Sequence, residues 1–251
     1  MSLILTGATG VVGSAALNHI LTHAIPSGEV NKLYILSRSP VPMAENKPNV
    51  TVIEHKNYNE YPPELLEKLK GAEGCIWAQG ISQTLVTKEE YIKITHDYPL
   101  AAAEAFSGLS DSFNFVYVSG EGATQKPNFL TPLFGRTKGI TETALLALPG
   151  KFPSLKPFSV RPAYVDTASD PEVLKARLAR PEQHMLGAKI LHGFFGPLMR
   201  NVLTSKDSPT QYLGKYLTDL ARGSGGPVNE AGVEGEGRII PNVVFRRVMG
   251  L

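Results

Sequence analysis

Residues 2–13 read Ser-Leu-Ile-Leu-Thr-Gly-Ala-Thr-Gly-Val-Val-Gly, and an Ala/Leu-rich stretch follows as far as Leu21. This order of apolar strand, glycine turn and helix is typical of a dinucleotide-binding loop. Glycines let the backbone approach a pyrophosphate, and the helix N-terminus offers N–H groups and a partial positive charge. The spacing is GxxGxxG rather than GxGxxG, so a plain strand-to-helix turn is the alternative. The residues expected to contact the dinucleotide are Gly7, Thr9, Gly10, Val11, Val12 and Gly13.

The second predicted strand, residues 33–36, runs directly into Ser37, Arg38 and Ser39. No carboxylate stands there to accept a hydrogen bond from a ribose 2′-hydroxyl. A guanidinium matches the oxygens of a 2′-phosphate in charge and geometry. We therefore predict NADP(H) in preference to NAD(H). The alternative is that Arg38 is a solvated residue at a strand end.

Strands and helices alternate along the rest of the chain. The predicted strands are residues 50–54, 74–78, 113–118 and 158–161, and the predicted helices are residues 63–70, 88–106 and 132–148. This order predicts an α/β fold with a doubly wound parallel sheet, in one Rossmann-like domain over residues 1–251. Ligands of such sheets bind beyond the carboxyl ends of the strands. The residues expected to emerge there are Thr6, Arg38, Gln79, Gly80, Ser119 and Pro162.

Composition narrows the class of protein. The 251 residues carry a net charge of only +2, and the cations are scattered, so no nucleic-acid partner is predicted. The lone cysteine, Cys75, lies in an apolar run and is expected to be a buried small hydrophobe. Met1 leads directly into the first strand, and no apolar run approaches the length of a membrane span, which favours a cytoplasmic protein. No cluster with metal-ligand spacing is visible, so no metal is predicted.

Five segments resemble those of an atypical NAD(P)-binding short-chain dehydrogenase/reductase. They are TGATGVVG from residue 6, SRS from residue 37, VSGEGA from residue 118, LFGRTKG from residue 133 and RPAYV from residue 161. Within that family, the chain resembles the branch of the Tat-interacting tumour-suppressor reductase and its fungal relatives. The resemblance implies that the three loop glycines hold the pyrophosphate and that Lys138 bonds the nicotinamide ribose. It further implies that Ser119 polarises the substrate and that Pro162 and Ala163 lie near the nicotinamide.

One residue departs from the family pattern. Phe134 stands where the Tyr-x-x-x-Lys motif has tyrosine, four residues before Lys138. A phenol next to a lysine ammonium can pass a proton to a substrate oxygen, whereas a benzyl ring has no proton to give. The candidate substitutes are Tyr164, Glu121 and Asp97. His96 precedes Asp97, but helical neighbours point about 100° apart, so we expect no pairing between the two.

Residues 166–222 are expected to carry the substrate side. Residues 188–203 are apolar but interrupted by Gly193, Gly196 and Pro197, which indicates either a lid over a small hydrophobic organic substrate or a packed helix or homodimer contact. His184 and His192 flank this stretch as further acid or base candidates. Ser208 is predicted to cap a helix whose first residue is Pro209.

Three functions agree with these features. The first is a non-redox step, such as a cyclisation, isomerisation or elimination, on a hydrophobic and polycyclic substrate of secondary-metabolite type, with the dinucleotide structural or absent. It would use Ser119, Lys138 and one carboxylate or tyrosine. The second is an NADPH-dependent oxidoreductase with a substitute proton donor. The third is a dinucleotide-binding regulatory protein without turnover. We favour the first, because the missing proton donor is a chemical observation, whereas the loop says only what the fold can bind.

Overall fold

The computed structural model describes residues 1–180 and 196–251. Its first half alternates β1 (Ser2–Thr6), α1 (Val11–His19), β2 (Lys32–Ser37), β3 (Val50–Glu54), α2 (Pro63–Leu69) and β4 (Ala72–Trp77). Then come α3 (Lys88–Ile92), α4 (Tyr98–Phe106), β5 (Phe113–Val118), α5 (Leu133–Ala147), β6 (Leu155–Arg161), β7 (Tyr164–Asp166) and α6 (Pro171–Leu178). After the gap follow α7 (Gly196–Asn201), β8 (Asp207–Pro209), α8 (Thr210–Arg222), β9 (Ile239–Pro241) and α9 (Asn242–Val248).

The main sheet of the described chain has seven parallel strands in the order β3-β2-β1-β4-β5-β6-β9. The strand order reverses between β1 and β4, where the crossover helices pass to opposite faces of the sheet. The predicted doubly wound α/β fold is thus confirmed. In such sheets a ligand binds at the carboxyl ends beside the reversal point, which here lies beyond Thr6 and Trp77.

The core lies in two layers, one on each face of the sheet. Leu3 and Leu5 of β1 pack into the layer that contains α1 and α8, while Ile4 packs into the layer of α2 and α4. The alternation follows from the strand period of two, which sends successive side chains to opposite faces. All six residues of β5 are buried, as expected for a strand covered by helices on both sides.

Several predicted elements differ in the structure. The helix predicted over residues 88–106 is present, but a π turn over Lys93–Asp97 joins α3 to α4. The strand predicted at residues 158–161 begins earlier, at Leu155, and β9 was not predicted at all. Pro197 lies inside α7 (Gly196–Asn201) and does not interrupt the described part of that helix. Residues 188–195 of the predicted lid lie outside the described residues.

The prediction that Ser208 caps a helix was wrong. Ser208 is in β8, which pairs with β7, and α8 begins after Pro209 without a side-chain cap. The Ser208 hydroxyl accepts a hydrogen bond from the Ala163 N–H and donates one to Asn242. These tertiary contacts use the hydroxyl that a cap would have needed.

Candidate functional site

A groove of about 850 Å³ opens at the carboxyl ends of β1, β4, β5 and β6. A smaller cavity of about 120 Å³ adjoins it at the glycine loop. Among the residues predicted to bind the cofactor, those lining the groove are Gly10, Val11, Val12, Arg38, Gln79, Gly80, Lys138, Pro162 and Ala163. Gly7, Thr9, Ser37 and Ser39 line the smaller cavity. The structure thus gathers these residues from four loops at one end of the sheet.

Two glycines of the loop motif, Gly7 and Gly13, leave no room for a side chain. Gly7 has φ +67°, and a Cβ on it would lie 2.3 Å from the carbonyl oxygen of Ala78. A Cβ on Gly13, in the first turn of α1, would lie 2.0 Å from the carbonyl oxygen of Gly7. The helix begins after Gly10 without a side-chain cap, so its first N–H groups can serve an anion. The loop therefore fits the pyrophosphate of a dinucleotide.

The turn after β2 presents Arg38 to both the groove and the smaller cavity. The Ser37 hydroxyl donates a hydrogen bond to the carbonyl of Ser39 (2.7 Å) and accepts one from its N–H (3.3 Å). Ser37 therefore shapes the turn, and its proton is not available to a phosphate. Ser37 lines the smaller cavity, and its contact with the cofactor stays a prediction.

Two further groups face the same cavities. Arg180, just beyond α6, lines both, and its Nη1 lies 3.9 Å from where a Cβ of Gly10 would stand. Sequence reasoning missed Arg180, because only tertiary packing brings it to the loop. The Oε1 atom of Gln79 is buried there without a hydrogen-bond partner in the described chain. A buried acceptor without a donor is costly, and a ligand hydroxyl or amine would satisfy it.

Lys138 and Phe134 stand one turn apart on α5. The Lys138 ammonium donates hydrogen bonds to the carbonyls of Val118 (2.9 Å) and Ser119 (2.7 Å). Its Nζ lies 5.6 Å from the centre of the Phe134 ring, close enough for a cation–π contact. Burial lowers the pKa of Lys138 to about 8, and the Glu142 carboxylate partly opposes this by favouring the charged form.

Phe134 lines the groove itself. Its ring packs on Gly120, where an added Cβ would lie 2.7 Å from Cζ, and its N–H donates to the Gln83 side chain (2.8 Å). The phenol of Tyr117 is also near Lys138, 5.4 Å from Nζ to the ring centre. However, Tyr117 is fully buried and its hydroxyl donates to the Thr95 carbonyl. Burial raises the pKa of Tyr117 well above its usual value, so it is a poor substitute acid.

Ser119 makes a contact that the sequence did not predict. Its hydroxyl donates to Oε1 of Glu142 (2.6 Å), which is fully buried. Arg161 binds the same carboxylate with two hydrogen bonds, from Nε to Oε1 (2.9 Å) and from Nη2 to Oε2 (2.6 Å). Glu142 lies four residues after Lys138, on the same face of α5, and this spacing was the signal that sequence reasoning overlooked. While this contact holds, the Ser119 proton is not available to polarise a substrate.

A second cavity of about 490 Å³ lies against Phe134, Pro162 and Ala163, all of which also line the groove. Its other walls include Glu121, Tyr164, Met199 and Lys206. Glu121 forms an ion pair with Lys206, a residue that sequence reasoning did not single out. Tyr164 is half-buried, and burial raises its pKa. Two of the predicted substitutes for the missing tyrosine thus lie beside Phe134.

Asp97 does not join them. Its carboxylate is exposed, lines neither the groove nor the second cavity, and accepts a 2.8 Å hydrogen bond from His96. The expectation that His96 and Asp97 do not pair was wrong, because they belong to a π turn, whose neighbouring residues are less far apart in angle than those of an α-helix. His184 and His192 lie outside the described residues.

Across residues 1–180 and 196–251, no three or more His, Cys, Asp or Glu side chains are grouped so that they could hold a metal ion. In the same ranges, no helix combines the length and apolarity needed to span a bilayer.

Two relatives come from fungal biosynthesis clusters. The chain is 35% identical over 268 aligned residues to the leucinostatins biosynthesis cluster protein T of Purpureocillium lilacinum, covering 98% of this chain and 94% of that protein. It is 42% identical over 159 residues to the botcinic acid biosynthesis cluster B protein 16 of Botryotinia fuckeliana, covering 61% of this chain and 98% of that one. No protein-family model matches the chain.

Solved structures with the same fold are more distant in sequence. A dTDP-glucose 4,6-dehydratase from Streptomyces venezuelae, solved with NAD bound, has a TM-score of 0.66 at 14% identity, covering 100% of this chain and 79% of that one. An oxidoreductase of the short-chain dehydrogenase/reductase family from Burkholderia thailandensis has a TM-score of 0.60 at 12% identity, covering 99% and 95%. These similarities identify the fold alone.

Proposed function

Because the chain belongs to the same family as the leucinostatins biosynthesis cluster protein T, we propose that it is an enzyme of secondary metabolism on a short-chain dehydrogenase/reductase scaffold. The reaction that we propose is a non-redox step, an isomerisation, cyclisation or elimination on a hydrophobic, polycyclic substrate. One observation carries this proposal. The ring of Phe134 lies in the groove wall, 5.6 Å from the Lys138 ammonium, so the side chain one turn before the lysine has no proton to deliver.

We propose that the groove holds NADP(H). The uncapped N-terminus of α1 and the glycine loop would receive the pyrophosphate, and Arg38 with Arg180 would receive the 2′-phosphate. Gln79 offers its unsatisfied oxygen to a ligand donor, and Lys138 lies where it can bind ribose hydroxyls. When bound, the dinucleotide supplies or accepts a hydride; in a non-redox enzyme it would instead complete the wall of the substrate cavity.

The second cavity is the proposed substrate site. Its apolar surfaces come from Phe134, Pro162 and Met199, which suit a hydrophobic ligand. Glu121 is the proposed base, since its carboxylate can accept a proton once a substrate displaces Lys206 from it. Tyr164 is the proposed acid, since it lines the cavity beside Phe134 and its phenol carries a proton at neutral pH. Met199 and Lys206 lie within residues 166–222 and line this cavity, which supports that range as the substrate-side region.

An NADPH-dependent oxidoreductase is the second candidate. The observation that favours it is that Tyr164 and Phe134 line one cavity, so the Tyr164 phenol could serve the proton transfer that the Phe134 ring cannot. In that reaction a substrate needing little help from an acid, such as an iminium ion or an activated alkene, would suit the site.

Assignment to the branch of the Tat-interacting tumour-suppressor reductase stays a prediction. So do a cytoplasmic location and a homodimer.

The mass of the product separates the two candidates. Deleting the gene in its source organism should cause the substrate to accumulate, and purified protein can then be added to the extract with and without NADPH. The proposal expects a new compound of unchanged mass, or one that has lost water, formed at the same rate without added NADPH. Conversion that requires NADPH and adds two hydrogens would replace the proposal with the second candidate.

A further inference from the structure

The direction of the hydrogen bond between Ser119 and Glu142 is fixed by the surroundings of the carboxylate. Glu142 is fully buried, and Arg161 binds both of its oxygens at 2.9 and 2.6 Å. Both carboxylate oxygens therefore act as acceptors, and the serine hydroxyl is the donor. The 2.6 Å contact to Ser119 therefore uses the one proton of the serine hydroxyl.

The backbone groups of Ser119 are engaged as well. Its N–H donates to the carbonyl of Val160 (2.8 Å), and its carbonyl accepts from Lys138 (2.7 Å). Ser119 nevertheless lines the groove. Toward a ligand, the Ser119 hydroxyl oxygen can therefore still accept a hydrogen bond through its lone pairs.

We infer that Ser119 is a hydrogen-bond acceptor toward the ligand, and that the substrate group beside it is a hydroxyl, an enol or an N–H rather than a ketone or ester carbonyl. A carbonyl oxygen placed there would face another acceptor with no proton between them. This inference rests on the proposed function, since it takes a substrate in the second cavity to extend past Phe134, Pro162 and Ala163, which line both cavities, to Ser119 in the groove wall. It reverses the role that the family resemblance implies for Ser119.

Glu142 and Arg161 are the positioning residues for this arrangement. Neither lines the groove or the second cavity, so their hydrogen bonds reach a ligand through the Ser119 hydroxyl. Arg161 also reaches Glu234, whose side chain is 51% exposed, by a second ion pair of 2.9 Å. Removing the buried pair as a unit would free the serine proton without leaving a buried charge alone.

Two matched probes test the inference, 2-octanol and 2-octanone, with their dissociation constants measured by ligand-observed NMR in the presence and absence of NADP⁺. One neutral hydrogen bond corresponds to about a fivefold difference in affinity, so the wild type should bind the alcohol about fivefold more tightly than the ketone. Ser119→Ala should bind both equally. The double variant Glu142→Leu with Arg161→Met should lose the preference, because the freed hydroxyl can donate to the ketone as well as accept from the alcohol. The control Glu234→Gln keeps the hydrogen bond between Ser119 and Glu142 and should show the same preference for the alcohol as the wild type.

Equal or tighter binding of the ketone by the wild type would overturn the inference, as would an unchanged preference in Ser119→Ala. A neutron crystal structure of the wild type locates the Ser119 hydroxyl deuterium directly. This second test does not depend on whether a variant folds. Deuterium on the line from Ser119 Oγ to Glu142 Oε1 supports the inference, and deuterium directed into the groove overturns it. Neither reading depends on turnover or on NADP⁺ affinity, so failure of the proposed function would be recognised separately.

Discussion

Replacing Gly13 with alanine should cost both stability and cofactor binding. The new Cβ would stand 2.0 Å from the Gly7 carbonyl oxygen, so α1 would have to move by about 1.4 Å to reach ordinary contact. Alanine favours a helix by about 1 kcal/mol over glycine, whereas overpacking typically costs about 1–3 kcal/mol. A clash with backbone lies at the upper end of that range. We therefore expect a net loss of about 2 kcal/mol, equivalent to a fall in Tm of about 4–8 °C in a chain of this size.

The same shift moves the N–H groups proposed to bind the pyrophosphate. Loss of one hydrogen bond to a charged group is worth about 1.5–3 kcal/mol, which means at least a tenfold weaker affinity for NADPH. Calorimetry and thermal melts measure both effects. Gly108→Ala is the matched control, because a Cβ there meets nothing within 4 Å. If Gly13→Ala is as stable as Gly108→Ala and binds NADPH as tightly as the wild type, the close approach of loop and helix is refuted.

Three further outcomes are expected. Arg38→Ala should weaken NADPH about tenfold or more and leave NADH affinity unchanged; an equal loss for both would exclude a 2′-phosphate contact. Since burial sets the pKa of Lys138 at about 8, NADPH affinity should fall as the pH rises through that value and stay flat in Lys138→Met. In the unfolded chain, Lys138 keeps its proton up to the ordinary lysine pKa. Above about pH 8 the unfolded state therefore binds more protons than the folded state, so the contribution of Lys138 to the free energy of unfolding increases with pH. Glu142→Ala should cost about 3–5 kcal/mol in denaturant unfolding, because Nε and Nη2 of the buried Arg161 lose their acceptors. The half-exposed Glu234→Ala should cost less than about 1 kcal/mol, and equal costs would contradict the buried pair.

The fold was predictable where local pattern and tertiary environment agree. Strands covered on both faces read as short apolar runs, and the glycine loop marks the first crossover, so β1 to β5 were found from the sequence. β9 was not, because three residues pairing with the end of β6 leave no periodic signal. Ser208 was misread for a related reason. Its neighbours form a good helix start locally, but pairing with β7 decides its conformation.

The residues of the candidate site likewise fall into those that a local sequence pattern predicts and those that only tertiary packing brings there. The loop and α5 motifs led to Gly10, Arg38 and Lys138, which all line the groove, because each motif is short and lies next to a strand end. Arg180 and Lys206 reach the site only through packing of the chain after β6, which no local pattern reveals. Glu142 could have been predicted from the sequence, since it follows Lys138 by four residues and both therefore lie on one face of α5.

The central claim is that Phe134 withholds the proton donor from an otherwise complete dinucleotide site. The most direct measurement is NADPH consumption, by absorbance, on the substrate identified from the deletion strain, in the wild type, in Phe134→Tyr and in Phe129→Tyr. Phe129 is 90% exposed, so its variant controls for a new phenol elsewhere. The account predicts NADPH consumption at the enzyme-free background rate for the wild type and Phe129→Tyr, and a rate at least about 100-fold above that background for Phe134→Tyr. Stoichiometric NADPH consumption by the wild type, with no gain in Phe134→Tyr, would contradict it.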